Sequence, residues 1–488
     1  MNKVHRPLLK GIYMKLTNYL GDRPFWRVTL TLALPIALQN VLTSSFQLVD
    51  TLMVSQLGDV TLSAVGMAGQ WGWLAMLLGF GLCSGMSVFV SQYWGVRDIK
   101  GIRRVLGMAL ILLFLLASGF MTLALAAPEF IISLFNKDPE IIAIGSRYLR
   151  IICFSYPATM LTNVLATLLR NTEQVKAPLY VSMVTTVANA VMNYGLIFGK
   201  LGMPQLGVAG AAIASCISAW MGPVLLILIS FLQKNLLIGP VKELAAFHLR
   251  DLLAFIRRAL PVLINEGGWS LGIVCLNMIY SNIGYEHYAG ITVYKTFADL
   301  SFAFYVGLGN ACVIMVGKSV GQGKISRALQ DANRFSCLLP LAGLLIGGLM
   351  ITFRHSLVSI FAMGDNLSLL TIQTALAVTV FCGLEVAFRN IPYVQVVGIF
   401  RSGGDTITGM LYDLLPLWLV AIPAAWAAAN LLHLPFIAVV ATAYLAEDIP
   451  KVIMCMKHFK SRKWLKPVTK EGKAGLESYK NQTGGNMV

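Results

Sequence analysis

The sequence predicts an all-α membrane protein with twelve transmembrane helices. They form two six-helix bundles related by a pseudo-two-fold axis along the membrane normal. Three observations carry that prediction. The chain of 488 residues is 57% hydrophobic and only 12% charged, a balance foreign to soluble domains and normal for polytopic helical proteins. Its basic residues fall in alternate loops. Two separate blocks of sequence also repeat at one common offset.

Stretches such as 105–127 and 335–353 are apolar for long enough to cross a hydrocarbon core of roughly 30 Å as helices. They lack the ten-residue alternation of an outer-membrane barrel. Spans are expected near 29–54, 62–92, 105–126, 143–169, 178–199, 208–233, 259–282, 289–316, 335–353, 370–399, 408–430 and 434–456. The N-terminus and the loops after even-numbered spans hold 30 Lys and Arg, whereas the loops after odd-numbered spans hold three, Lys137, Lys200 and Arg354. By the positive-inside rule, both termini face the cytoplasm in the inner membrane. The formal charge of +16 is therefore a topology signal rather than a nucleic-acid footprint.

The flanking segments follow. Residues 1–28 form a cytoplasmic N-terminal segment in which 1–22 has no signal-peptide core and could lie along the inner leaflet. A six-helix lobe covers 29–233, a basic cytoplasmic linker 234–258, a second lobe 259–457 and a cytoplasmic tail 458–488. From Ser461 the tail is polar and rich in Lys and Gly, the composition of a disordered extension. The eight cysteines lie in spans without a CxxC pair, as small packing residues do.

The repeat sets the architecture. PIALQNVLTSSFQLVDTLMVSQLG at 35–58 aligns with PVLINEGGWSLGIVCLNMIYSNIG at 261–284, a shift of 226 residues. GLCSGMSVFVSQYWGVRDI at 81–99 aligns with GLGNACVIMVGKSVGQGKI at 307–325 at the same shift. Each half holds an even number of spans, so both copies enter from one side and the repeat is parallel. Gly321-Gln-Gly-Lys lacks the phosphate-loop spacing and reads as a tight helix exit. Among these segments there is no Walker motif to make ATP the direct energy source.

Ionisable residues inside spans are the first functional candidates, because each costs roughly 2.5–3.5 kcal/mol at a span centre. They are Asp50, Glu266, Lys295, Asp299, Glu385, Arg389 and Asp413, with Arg147 and Arg150 in span 4 and Glu447 and Asp448 near the end of span 12. Lys451 is close to that same end. Lys295 with Asp299, and Glu385 with Arg389, stand at i,i+4 and can neutralise one another or line a polar cavity. Asp50 has no basic residue within a turn, so its carboxylate needs a proton, hydrogen bonds or a cation such as Na⁺. Asn189 and Asn193 share one face of span 5 and offer neutral donors. Glu266 is followed by Gly267 and Gly268, which leave room for a close partner. Trp269 offers either an aromatic face to an organic cation or ordinary packing. The repeat places Leu276 opposite Asp50, so the two halves differ where the lone carboxylate stands.

LVDTLMVSQLG in span 1, LRNTEQVKAP and FRSGGDT at the exits of spans 4 and 10, and GVAGAAIAS opening span 6 together resemble the multidrug and toxic compound extrusion (MATE) transporters over residues 29–457. The resemblance implies a non-enzymatic, cation-coupled antiporter that exports organic, chiefly cationic, compounds by alternating access. It implies no cofactor beyond bound Na⁺ or a proton, and it is expected to work as a monomer. It marks Asp50 as the coupling aspartate, with Asn189, Asn193 and Ser215 around it. One branch of the family has a second aspartate where this chain has Asn193. Glu266 resembles a span-7 glutamate of another branch but stands about one turn closer to its proline. The span-10 aspartate of that branch meets Pro392 here. A second-lobe cavity or substrate site is then to be sought among Glu266, Trp269, Lys295, Asp299, Glu385 and Arg389. The rival reading is a lipid-linked precursor flippase of the same superfamily, which would favour several Lys and Arg in the cavity to hold pyrophosphate.

Overall fold

The computed structural model describes residues 21–135, 137–362 and 368–483. Every regular element among them is helical. In chain order the long helices are α1 (Arg23–Ser55), α2 (Asp59–Gly95), α3 (Ile99–Ala126), α4 (Pro139–Ile152 and Ser155–Asn171), α5 (Lys176–Phe198) and α6 (Val208–Leu232). The second half supplies α7 (Leu249–Ile283), α8 (Tyr285–Gly321), α9 (Ile325–Thr352), α10 (Leu369–Tyr393), α11 (Thr406–Pro416, resumed as Ile422–Asn430) and α12 (Phe436–Ser461). Ten of the described helical segments are each long and apolar enough to cross a membrane, and the two pieces of α4, bent by 47°, make an eleventh. The twelfth, α12, has 26 residues and carries Glu447, Asp448 and Lys451 in a run with no other charged residue as far as Met456.

The repeat is visible in the helix ends. Adding 226 to the bounds of α2 gives those of α8, and adding it to the bounds of α3 gives those of α9. The short helices that follow, Pro128–Ser133 and Arg354–Ala362, also start at that offset. Later helices diverge. Pro392 and Pro416 each precede a wider π-helical stretch, Val394–Phe400 and Leu417–Ala421. A proline removes one ladder donor and crowds the carbonyl four residues back, and local widening relieves both.

Contacts divide the chain into two compact units that do not follow chain order. One holds Leu38–Val90 and Arg97–Leu263; the other holds Ser91–Val96, Ile264–Val488 and the described residues up to Ala37. The first part of α1 thus packs within the C-terminal unit, and the first part of α7 within the N-terminal one. The changeovers lie two residues beyond Pro35 and Pro261, at equivalent places in the repeat. Glycine makes both packings close. A Cβ on Gly81 would stand 2.7 Å from the Leu263 Cα, and one on its counterpart Gly307 would stand 2.6 Å from the Ala33 carbonyl oxygen. Any side chain there would push the helices apart.

Each unit has its own apolar core. Val54, Ala68, Leu149, Ile197 and Ala212 centre the N-terminal one, and Leu276, Val378, Leu417 and Val439 the C-terminal one. In the N-terminal unit Arg103 anchors the linker between the halves. It pairs with Glu243 at 2.5 Å and donates to the Ile238 carbonyl at 2.7 Å.

One expectation is corrected. Residues after Ser461 are not a disordered extension as far as 483; they fold back and end in a further helix, α13 (Lys470–Gln482). Trp464 is fully buried. The Lys466 amide donates to the Gly403 carbonyl, the Val468 amide to Gln92 Oε1, and the Thr469 hydroxyl to the Gly321 carbonyl, at 2.7–2.8 Å. Carbonyls at helix C-termini lack intrahelical donors, and the tail supplies them. Composition hides such an anchor because two of the three donors are backbone amides. The segment expected to lie along the leaflet is, up to residue 20, outside the described residues, as are 484–488.

Candidate functional site

In the N-terminal unit, Asp50 on α1 meets α5 and α6 through a chain of neutral groups. Asn193 donates its amide to Asp50 Oδ1. The same amide reaches Asn189 Oδ1 at 3.2 Å. Asn189 in turn donates to Ser218 Oγ at 3.0 Å and to Ser215 Oγ at 3.4 Å. The four-residue spacing of the asparagines puts both on one face of α5, so the amides connect end to end. Both are buried, and Asn193 Oδ1 has no donor. An orphaned amide oxygen beside a carboxylate is an acceptor pair suited to a small cation or a proton. Ser218 was not singled out from sequence, although its spacing of three from Ser215 places it on the same α6 face.

The site opens into a cavity of about 270 Å³ lined by Thr43, Ser155, Thr159, Thr185 and Thr186 together with Asp50, Asn189, Ser215 and Ser218. Hydroxyls dominate this lining, and Asp50 is its one charged member. Several of the hydroxyls are tied to helix carbonyls three or four residues back, as Thr185 is to Ser182 at 3.1 Å and Thr159 to Ser155 at 2.9 Å. Their oxygens still present a lone pair to the cavity. The four residues expected at the first-lobe site therefore come together.

The six expected in the second lobe do not form one site. Glu266 accepts from Arg401 Nη2 at 2.7 Å, and Arg401 is buried. Trp269 packs beside the apolar core of its unit. Lys295 donates to Asn277 Oδ1, with Asp299 acting on it only through its charge. Arg389 lies 3.7 Å from Glu447 and 4.9 Å over the ring of Tyr444. The two expected i,i+4 pairs interact through charge alone, while Lys295 and Arg389 make their closer contacts with groups on other helices.

The larger assembly is on α10, α11 and α12. Lys451 Nζ binds Asp413 Oδ1 and Glu447 Oε1, each at 2.7 Å. Asp448 lies beside Glu385. The sequence showed these groups singly, and only the crossing of three helices gathers them. At the α10–α11 turn, Asp405 accepts from His458 Nε2 at 2.9 Å and Lys466 Nζ at 2.8 Å. Burial pushes this carboxyl up, but the hydrogen bonds from His458, Lys466 and Thr408 outweigh it and hold it at about 2.

The MatE family model matches the chain twice, over residues 35–195 and 268–427, once in each half. "Probable multidrug resistance protein NorM" of Thermotoga maritima is 24% identical over 458 residues, covering 93% of this chain and 97% of that protein. "Probable multidrug resistance protein YoeA" of Bacillus subtilis is 26% identical over 423 residues, covering 85% and 89%. Among solved structures, a MATE protein in the bent conformation superposes with a TM-score of 0.79 at 16% identity, covering 94% of this chain and 97% of that one. The eukaryotic MATE transporter AtDTX14 superposes at 0.75 and 15%, covering 93% and 99%. The twofold match, one in each half of the repeat, settles the family: the chain belongs to the MATE transporters, multi-pass membrane proteins of twelve helices.

Proposed function

We propose that this transporter is an antiporter of the inner membrane that exports organic cations in exchange for H⁺ or Na⁺, with Asp50 as the coupling carboxylate. Both termini face the cytoplasm, and a single chain suffices. The observation that carries the reading is the Asp50 site itself. One carboxylate, met by an amide, opens on a cavity lined by hydroxyls and amides, without a lysine or arginine among the lining residues. Such a lining favours cations and disfavours the pyrophosphate of a lipid-linked precursor.

The mechanism follows from the placement of three helices. Uptake of a proton or Na⁺ removes the unpaired charge between α1, α5 and α6 and changes which packing of α1 is preferred. An organic cation competes for the same charge. Each ligand therefore stabilises a different arrangement, which is the condition for exchange. Membrane potential adds about 2.3 kcal/mol per charge per 100 mV. In proteoliposomes, efflux of a fluorescent organic cation is driven by Na⁺ and pH gradients imposed separately. One gradient should drive transport, and Asp50→Asn should abolish it while the purified variant stays folded. Full gradient-driven activity in that variant would sink the reading.

A further inference from the structure

We propose that the tail after Ser461 is a strap across the crossing of α2 and α8. Docked, it holds the ends of those helices together; released, it lets them part. The crossing brings together equivalent places of the repeat. Ser91 and Gly317, 226 residues apart, meet there, and a Cβ on Gly317 would run into the Ser91 hydroxyl. One turn on, Gly95 lies against the Lys318 carbonyl, and its counterpart Gly321 lies against the Gln92 carbonyl. Glycine lets the two backbones approach this closely but gives them no side chains to interlock. Across the crossing itself, Gln322 donates to the Gly95 carbonyl at 2.9 Å. All of these residues, and the tail, belong to the C-terminal unit.

Two consecutive tail residues bridge the two helices. The Val468 amide donates to Gln92 Oε1 on α2 at 2.8 Å, and the Thr469 hydroxyl donates to the Gly321 carbonyl that ends α8 at 2.7 Å. Gln92 is fully buried, and its amide nitrogen is already given to the Ser402 carbonyl at 2.8 Å. The Val468 amide is thus the donor that satisfies the Gln92 oxygen. Withdrawing it strands a buried acceptor beside the crossing, and such an acceptor is relieved by admitting water. Undocking therefore weakens the crossing by more than the loss of two hydrogen bonds. The strap is anchored on both sides of this bridge. Ahead of it, buried Trp464 lies over Gly403, and Lys466 Nζ reaches Asp405 at 2.8 Å. Behind it, α13 seats Gly472 against the Val320 carbonyl and Gly475 against the Gly323 backbone, where a side chain has no room. What the strap does for transport rests on the reading above. On that reading this end faces the cytoplasm, so the strap restrains opening toward it.

Labelling of a cysteine at the crossing tests this. Ser91 is fully buried, so Ser91→Cys in the full chain in lipid nanodiscs should react slowly with a sulfonated maleimide. The wild type gives the background of the eight native cysteines. Adding Gly475→Leu, which alters only the tail, should speed the reaction about tenfold or more. Adding Ala474→Leu, the same bulk at a neighbouring exposed position, should leave it slow. A chain ending at Ser461 should match Gly475→Leu without depending on that substitution to displace the tail. Equal rates with and without the tail overturn the proposal. Ala68→Cys, in the N-terminal core, should stay protected in both tail variants. A gain there as large as at Ser91 would mean general loosening and overturns it as well. The rates are read without gradient or substrate, so a failure of coupling at Asp50 leaves this test intact.

Discussion

Where α1 carries Asp50, the repeat gives α7 Leu276, and the surroundings of the two positions differ as much as the residues do. Asp50 is half-buried at the edge of a polar cavity and is met by an amide. Leu276 is 4% exposed in an apolar core of Val378, Leu417 and Val439. The charges of the C-terminal unit lie elsewhere, on α10, α11 and α12, and there most are paired acid with base. Helices α2 and α8 keep equal bounds across the repeat, so the backbone scaffold is common to the two halves. Duplication preserved the packing and left the ionisable groups free to diverge. A lone carboxylate can change its ligand; a compensated cluster is fixed by its own partners.

That contrast can be broken from either side. Lys451→Met should have the largest effect on stability, about 3–5 kcal/mol, because it strands Asp413 and Glu447 as buried charges. Adding Asp413→Asn and Glu447→Gln should restore much of the loss, read as the thermal midpoint in detergent. Leu276→Asp puts the first-half carboxylate into the second-half core and should cost roughly 3 kcal/mol. Asp50→Leu, the reverse exchange, should fold with little loss and fail only in coupled efflux. Equal destabilisation by the two exchanges would erase the distinction drawn between the halves.

Smaller effects sharpen it. Asn193→Ala removes the hydrogen bond to Asp50, worth about 1.5–3 kcal/mol for a charged acceptor. Na⁺, which also loses the Asn193 oxygen as a ligand, should then bind some tenfold or more weaker in a direct binding titration. Asn277→Ala, which frees Lys295 in the other unit, should leave that affinity unchanged. The mildest change belongs to the α10–α11 turn. Asp405 is held at about 2 against an ordinary 3.8. A carboxyl lowered on folding contributes stability that is complete above 3.8 and is lost as pH falls toward about 2. Asp405→Asn should remove that acid-dependent part of the unfolding curve and loosen the tail held through Lys466.

Much of the fold was legible along the chain. Apolar length marked the spans, basic loops marked their ends, and the 226-residue offset anticipated helix bounds that the structure repeats for α2 and α8. The first-unit cluster was legible too, since the four-residue spacing of Asn189 and Asn193 is itself a statement about a helix face. The exchange of the first parts of α1 and α7 between units was not. It depends on Gly81 and Gly307 allowing close approach to segments far away in sequence. The docked tail escaped for a similar reason, because its anchors are backbone groups that every residue has.

By itself, then, the sequence determined the number of spans, their duplication and the isolation of Asp50, all of which are local or periodic properties. Only the tertiary structure decided the partners of the other charges: Glu266 goes to Arg401, Arg389 to Glu447, and Lys451 bridges Asp413 and Glu447. A buried charge takes whichever partner removes it most fully from an apolar medium, and that partner is chosen by helix crossings, not by distance along the chain.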